Sequence, residues 1–213
     1  MQVEGSVCGL LLAGGQSRRM GGGDKCLQTL NGKSLLAHVI KCARPQVDHI
    51  ILNANGDVAR FDSYGLTVVR DVVDGFAGPL AGILTGLEWV RENRPDCHWV
   101  ASFACDAPFI PDNLVSRLSD AIAENNGALV CASSNGRDQP VFGLWPVALA
   151  GDLRSAVVKE GIRKVDIWTG RYNLVRANWS IDPIDPFLNV NRPSDLTEAE
   201  KVLRANLTYP GSR

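Results

Sequence analysis

The sequence predicts a single-domain α/β fold in which a mainly parallel sheet is flanked by helices. Three observations carry that expectation. Short apolar runs, partly β-branched, alternate with segments of helical spacing. The first of these runs opens directly into a glycine-rich, cationic loop. The 213 residues, 45% of them hydrophobic, suffice for one sizeable core and contain no internal repeat, low-complexity tract or linker.

The strand-like runs are Val7–Leu12, His49–Asn53, Leu66–Arg70, Trp99–Ala104 and Ala128–Ala132, each short enough to be a buried strand. Between them, Ser34–Ala43 has helical spacing and stops before Pro45. Pro79–Glu92 starts with proline at a first turn, and Asp112–Asn125 stops at Asn126-Gly127. Beyond Gln139, the residues Pro140–Trp145 read as a strand, Val147–Lys159 as a helix and Tyr172–Trp179 as a strand. Ser194–Asn206 reads as a last helix, with Ser194 as its N-cap. In such sheets ligands bind at the carboxyl ends of the strands, where Leu12-Ala13, Asn53, Asp71 and Asp106 all fall.

The loop that follows Leu12 holds five glycines between Gly14 and Gly23, with Arg18, Arg19 and Lys25 among and after them. Glycines let backbone N–H groups approach an anion closely, and the three cations supply fixed positive charge, a combination suited to polyphosphate. Two common phosphate signatures do not fit. Gly32-Lys33-Ser34 matches the end of a P-loop, but the required first glycine falls at Leu27, so the tripeptide reads as a turn and helix start. Counting from Gly21 and Gly23, the third glycine of the dinucleotide fingerprint falls at Cys26.

Composition narrows the function classes. A net charge of −1 argues against a nucleic-acid or membrane-surface partner. No apolar run approaches the ~18 residues of a membrane span, and the first residues lack a secretory pattern, so a cytoplasmic protein is expected. The six cysteines are dispersed without a Cys-x-x-Cys pair, and His38, His49 and His98 share no ligand spacing. Reduced, mostly buried thiols and structural histidines are therefore expected.

Asp106, directly after a buried strand and stiffened by Pro108, can coordinate Mg²⁺ on nucleotide phosphates, or serve as a loop or capping acid. Asp71 can accept hydrogen bonds from a base or ribose, or pair with an arginine, and Asn53 suits either a base edge or a strand-ending turn. Lys25 can cover phosphates once the loop folds over them. Of the adjacent Arg18 and Arg19 at least one is expected to point inward. The five tryptophans read as core, although Phe142 and Trp145 lie in a run that can border an acceptor pocket. Asn189 and Asn191, alternating with apolar residues, can share one face of a strand or lie in a capped connection.

Together these blocks resemble the molybdenum cofactor guanylyltransferase family. The resemblance rests on Leu12-Ala-Gly-Gly-Gln-Ser-Arg-Arg-Met-Gly-Gly-Gly-Asp-Lys25, on Asp71 followed by Gly78-Pro-Leu-Ala-Gly-Ile83, and on Cys105-Asp-Ala-Pro108. It also rests on Gln139-Pro-Val-Phe-Gly-Leu144 and on Phe187-Leu-Asn-Val-Asn191 with Pro193 and Asp195. It implies a Rossmann-like nucleotidyltransferase fold, with a nucleotide half at about 1–135 and an acceptor half at about 136–213. It implies GTP and Mg²⁺, with Mn²⁺ as a substitute, and molybdopterin as acceptor of GMP with release of pyrophosphate. Carried over by position, Leu12, Ala13, Gly14, Gly15, Lys25, Asn53, Asp71 and Asp106 line the nucleotide site, with Asp106 on the metal. Lys25, Arg19 and Asp106 form the catalytic set, while Gln139, Asn189 and Asn191 lie toward the pterin. Transient contact with other molybdenum cofactor biosynthesis or acceptor proteins is also implied. The rival readings are a cytidylyl- or sugar-nucleotidyltransferase of the same fold, and a non-catalytic nucleotide-binding regulator.

Overall fold

A computed structural model describes residues 5–14, 24–75 and 78–205. In chain order the elements are β1 (Ser6–Leu12), β2 (Thr29–Leu30), β3 (Lys33–Ser34), α1 (Leu35–Ala43), β4 (His49–Asn53), β5 (Thr67–Val69), α2 (Pro79–Asn93) and β6 (Cys97–Ala104). They continue with α3 (Leu114–Asn125), β7 (Leu129–Ser134), β8 (Arg137–Pro146), α4 (Ala150–Val158), α5 (Val165–Thr169), β9 (Leu174–Trp179) and α6 (Pro193–Arg204). Seven strands form one sheet in the order β5-β4-β1-β6-β8-β7-β9. All run in one direction except β8, which is antiparallel to both β6 and β7.

The expected mixed fold with a mainly parallel sheet is therefore observed, and β1 shows why its sequence is an unbroken apolar run. Leu11 faces one core with Leu36, Val39, Phe103 and Leu118, whereas Cys8, Leu10 and Leu12 face the other with Ile83, Leu84 and Leu87. Helices α1 and α3 cover the first face; α2, α4 and α5 cover the second. A strand with parallel neighbours and two covered faces has no polar side to display. Helix α2 packs against both the sheet and α4. Its Glu88, almost fully buried, is held bidentately by Arg154 of α4, with Nε–Oε1 at 2.5 Å and Nη2–Oε2 at 2.6 Å.

Two local features differ from the sequence reading, and a third, at Asn189 and Asn191, resolves a choice the sequence left open in favour of a capped connection. The helix expected from Ser194 starts one residue earlier, because Pro193 occupies the first helical position and Arg192 is the N-cap. Asp195 then accepts the N–H groups of Asn191 (2.8 Å) and Arg192 (2.9 Å), the task assigned to Ser194. Asn189 and Asn191 stand in an irregular connection rather than on a strand, anchored where Val190 N–H donates to the Asp106 carbonyl at 2.8 Å. The β7–β8 hairpin turns at Asn135 (φ 49°) and Gly136 (φ 70°), an Asn-Gly pair suited to a tight turn. Other expectations hold closely. Ser34 caps α1 by accepting from Ala37 N–H at 3.1 Å, Gly32 sits in a turn at φ 77°, and Asn126 ends α3 in the left-handed region.

The chain crosses from β1 out to β4 and β5 on one side, then returns through α2 to β6 on the other. This reversal opens a crevice at the carboxyl ends of β1, β4 and β6. The Asn135-Gly136 turn joins β7 to β8, and β8 inserts between β6 and β7, so one continuous sheet runs through the chain.

Burial also sets a pH dependence. Cys8, Cys26 and Cys131 are buried, and loss of hydration pushes each thiol up to about 12. In the unfolded chain these thiols ionise near ~8.5. Their contribution to stability is thus complete below that pH and is lost as pH rises toward the folded values, by up to about 1.4 kcal/mol per pH unit for each group. Urea midpoints measured under reducing conditions should fall between pH 8.5 and pH 10, more steeply in the natural chain than in Cys131→Ala.

Candidate active site

Leu12 ends β1, and Ala13 continues past it by donating its N–H to the Asn53 carbonyl at 3.0 Å. On the other side, Cys105 N–H reaches the Leu12 carbonyl at 3.3 Å. The ends of β1, β4 and β6 are thereby laced together, and Gly14 lies immediately beyond them. Gly15, Arg18 and Arg19 lie outside the described residues.

At the β6 side, Lys25 Nζ contacts both the Asp106 carboxylate and Asn191 Oδ1. Lys25 belongs to a short 3₁₀ turn, Lys25–Leu27, that starts after the glycine-rich loop, and Asp106 follows β6. Asn191 is brought in by the Val190–Asp106 backbone bond and fixed by Asp195. Cation and carboxylate are only partly exposed, at 14% and 25%, which leaves both within reach of a ligand while shielding the pair from full solvation. The thiols beside them are inert. Cys105 is raised well above its usual value by burial, then by Cys26 and Asp106, and Cys26 is raised to about 12 by burial, then by Asp24.

At the β4 side, Asn53 is buried and its amide donates to the Asp71 carboxylate at 2.9 Å and to the Val69 carbonyl at 3.3 Å. Asn55 makes a reciprocal pair with Asp71. Its amide donates to the other carboxylate oxygen at 2.8 Å, and its own Oδ1 accepts Asp71 N–H at 3.0 Å. Asp71 thus pairs with amides, and its carboxylate is oriented by two donors before any ligand arrives. Asn55 is a residue that sequence reasoning missed, although the amide repeat Asn53-Ala54-Asn55 on a strand end carried the signal.

A second missed residue is Arg60. Its guanidinium holds the Asp24 carboxylate next to Lys25 and donates to the Asn55 carbonyl at 2.8 Å. It therefore spans the base of the phosphate loop and the Asn55–Asp71 pair. Gln139 stands elsewhere: its amide donates to Ser134 Oγ at 3.0 Å, which in turn donates to Asp185 at 3.1 Å. A bulge in β8 places it there. Gly143 pairs with Cys131 and Gln139 with Ala132, so Pro140, Val141 and Phe142 loop out of the ladder. Phe142 and Trp145 themselves are core residues, packed on Phe187 and Trp168 respectively. Asn189 Oδ1 is buried with no hydrogen-bond partner among the described residues.

The Gly78-Pro-Leu-Ala-Gly-Ile block now has a physical basis. Gly78 adopts φ 148° as the N-cap of α2, with Pro79 at its first position. Gly82 lies where a Cβ would come within 2.5 Å of both Asn53 Oδ1 and Leu12 Cδ2. Only glycine lets α2 close this tightly on the strand ends.

A parallel sheet whose strand ends gather a lysine, a carboxylate and an amide-flanked acid defines the class of NTP transferases, and residues 9–171 match the model of the MobA-like NTP transferase domain. Over 197 residues the chain is 54% identical to a molybdenum cofactor guanylyltransferase from Bradyrhizobium sp. (strain ORS 278), covering 92% of this chain and 93% of the relative. In fold it is similar to molybdopterin-guanine dinucleotide biosynthesis protein A from Archaeoglobus fulgidus, with a TM-score of 0.71 at 21% identity over 93% of this chain and 99% of the other. It is also similar to a Mycobacterium tuberculosis protein solved as a complex with manganese, with a TM-score of 0.66 at 15% identity over 92% and 98%. The chain belongs to the molybdenum cofactor guanylyltransferase family, and it is a nucleotidyltransferase.

The two helix glycines offer a test of the crevice. Gly82→Ala and Gly86→Ala each gain about 1 kcal/mol of helix propensity and lose roughly 1–3 kcal/mol to overpacking, Gly82 against Asn53 and Leu12 and Gly86 against Leu10. Both should lower stability by on the order of 1 kcal/mol in urea melts. Only Gly82→Ala should raise the KM for the nucleotide, because only there must Asn53 move.

Proposed function

We propose that this chain transfers GMP from GTP to molybdopterin in the cytoplasm. A terminal phosphate oxygen of the acceptor attacks the α-phosphorus, the bond from that phosphorus to the bridging oxygen breaks, and pyrophosphate leaves. The observation that carries this reading is the contact of Lys25 with Asp106 and Asn191 where β1 and β6 end, next to the glycine-rich loop. The relatives' name supplies the nucleotide and the acceptor.

Each residue has a task in this scheme. Backbone N–H groups from Gly14 onward receive phosphate oxygens, and Lys25 supplies a positive charge for the phosphates once it exchanges the Asp106 carboxylate for them. Arg19 is assigned to the same phosphates. Asp71, oriented by Asn53 and Asn55, accepts from the base or ribose. Asp106 fits a hard divalent cation, since a lone, partly exposed carboxylate completed by substrate oxygens is a common Mg²⁺ arrangement. Mg²⁺ or Mn²⁺ held there would neutralise charge on the nucleotide's phosphates. On the acceptor side, Gln139 and Asn189 are assigned to the pterin by the resemblance alone; Gln139 is bonded to Ser134 and Asn189 Oδ1 is buried. Asn191 touches Lys25 directly and so adjoins the reacting phosphates.

No general base is required, because a phosphate monoester already bears a nucleophilic anionic oxygen near neutral pH. Histidine placement agrees with this: His38 is engaged with the Leu30 carbonyl at 2.9 Å, and His49 and His98 lie at the opposite end of the sheet. Catalysis then comes from alignment and charge neutralisation. Among the described residues no helix is long and apolar enough to cross a membrane.

Pyrophosphate release with Mg²⁺ and molybdopterin should be selective for GTP over CTP, ATP and UTP. Preference for CTP would move the chain to the cytidylyl reading, and absence of release with any nucleotide would favour a binding-only protein. Asp106→Ala should abolish metal-dependent turnover. Lys25→Ala should lower kcat/KM by on the order of 10²–10³ through lost phosphate contacts. Full activity in either variant would remove that residue from its role.

A further inference from the structure

The end of the sheet opposite the crevice gathers a second set of chemistry-bearing side chains. His49 begins β4 and Cys97 begins β6, with Asp96 just before it. The two strands flank β1, and folding brings one donor atom from each residue, an imidazole nitrogen, a carboxylate oxygen and a thiol sulfur, within 4.8 Å of one another. His49 Nε2 and Asp96 Oδ2 are already 3.9 Å apart.

Tetrahedral zinc sites with ligand distances of about 2.0–2.3 Å have ligands roughly 3.3–3.8 Å from one another, so closure requires adjustments of only about 1 Å. The donors sit on constrained backbone. Asp48 N–H donates to the Val7 carbonyl at 3.0 Å while its carboxylate accepts Val7 N–H at 2.8 Å, which locks β4 to β1 beside His49. Cys97 N–H closes the preceding turn on the Arg94 carbonyl at 3.0 Å and so fixes the approach of Asp96. Cys97 is buried, whereas His49 is about one-third exposed and Asp96 more so, which leaves an approach from solvent. A shallow depression of about 280 Å³ bordered by Arg44, Asp48, His49 and Thr67 opens beside it.

An exposed His–Asp pair alone would be worth little and would signify nothing. The sulfur changes the chemistry. A mixed N, O, S donor set suits zinc-class ions and is a poor match for Mg²⁺, which demands oxygen ligands. We propose that His49, Asp96 and Cys97 form a binding site for a borderline-soft divalent ion of the Zn²⁺ class, separate from the metal at Asp106, with its fourth position open to water. On binding, the Cys97 thiol proton passes to solvent and the sulfur coordinates as thiolate. The site ties β4 to β6 across β1 at the end of the sheet that the reaction does not use.

Cobalt titration of the full chain under reducing conditions tests this, because a thiolate-to-Co²⁺ charge-transfer band reports sulfur ligation directly. The natural chain should develop a one-equivalent band that Zn²⁺ abolishes and Mg²⁺ does not. Cys97→Ser should eliminate the band, and His49→Ala, at a partly exposed ring, should weaken affinity by more than about tenfold. Asp106→Asn should leave the band intact, which separates this site from the catalytic one. Absence of a band in the natural chain, a band that survives in Cys97→Ser, or an affinity unchanged in His49→Ala would overturn the proposal.

Discussion

The fold is organised around a constraint on one strand. β1 lies between parallel β4 and β6 with apolar cores on both faces, so its backbone cannot shift without breaking two ladders and two packing layers. Its carboxyl end is consequently a rigid platform, and the residues meant to meet a ligand are those directly beyond it. Helix α2 confirms the tightness of this arrangement: at Gly82 and Gly86 it approaches the strands so closely that a Cβ would collide with Leu12, Asn53 or Leu10. Rigid sheet and close helix together confine positional freedom to the loops, where substrate must enter.

From that platform two polar groups extend, and Arg60 joins them. One comprises Asp24, Lys25, Asp106 and Asn191; the other comprises Asn53, Asn55 and Asp71. Arg60 grips Asp24 on one side and the Asn55 carbonyl on the other, and its charge also lies over the Phe61 ring at 4.4 Å. A guanidinium can bridge in this way because its donors fan out in a fixed plane and reach partners on two sides. One side chain thus connects the residue next to Lys25 with the residue that pairs with Asp71.

Much of the fold was legible in the sequence because its signals were local: apolar runs of strand length, Ser34 and Pro79 at helix starts, Asn126 at a helix end. The antiparallel direction of β8 depends on a hairpin whose Asn135-Gly136 turn was present in the sequence but not used. At the site, Asn53, Asp71 and Asp106 could be singled out because each stands at or just beyond a strand end, and Lys25 because it follows the glycine-rich stretch; folding brings Lys25 to Asp106 and Asn53 to Asp71. Arg60 could not be, since its importance lies in partners that only tertiary packing supplies. The same limit applies to His49, Asp96 and Cys97, which share no ligand spacing along the chain and meet only because β4 and β6 flank one strand.

The Lys25–Asp106 contact bears on how the site handles charge. Holding a lone carboxylate in a partly dry crevice for a metal, and a lone ammonium for phosphate, would each carry a desolvation penalty. Paired with one another, the two groups neutralise that penalty in the free protein. In the proposed reaction, entry of a nucleotide with its cation would be an exchange of partners, the ammonium passing from carboxylate to phosphate and the carboxylate from ammonium to metal. Asn191 supplies the ammonium with a neutral acceptor, and Asp195 holds the Asn191 backbone from the first turn of α6. The distant Phe187–Asp195 segment is thus tied to the end of β6 by the Val190–Asp106 backbone bond, which accounts for an amide from late in the chain standing beside a lysine from early in it.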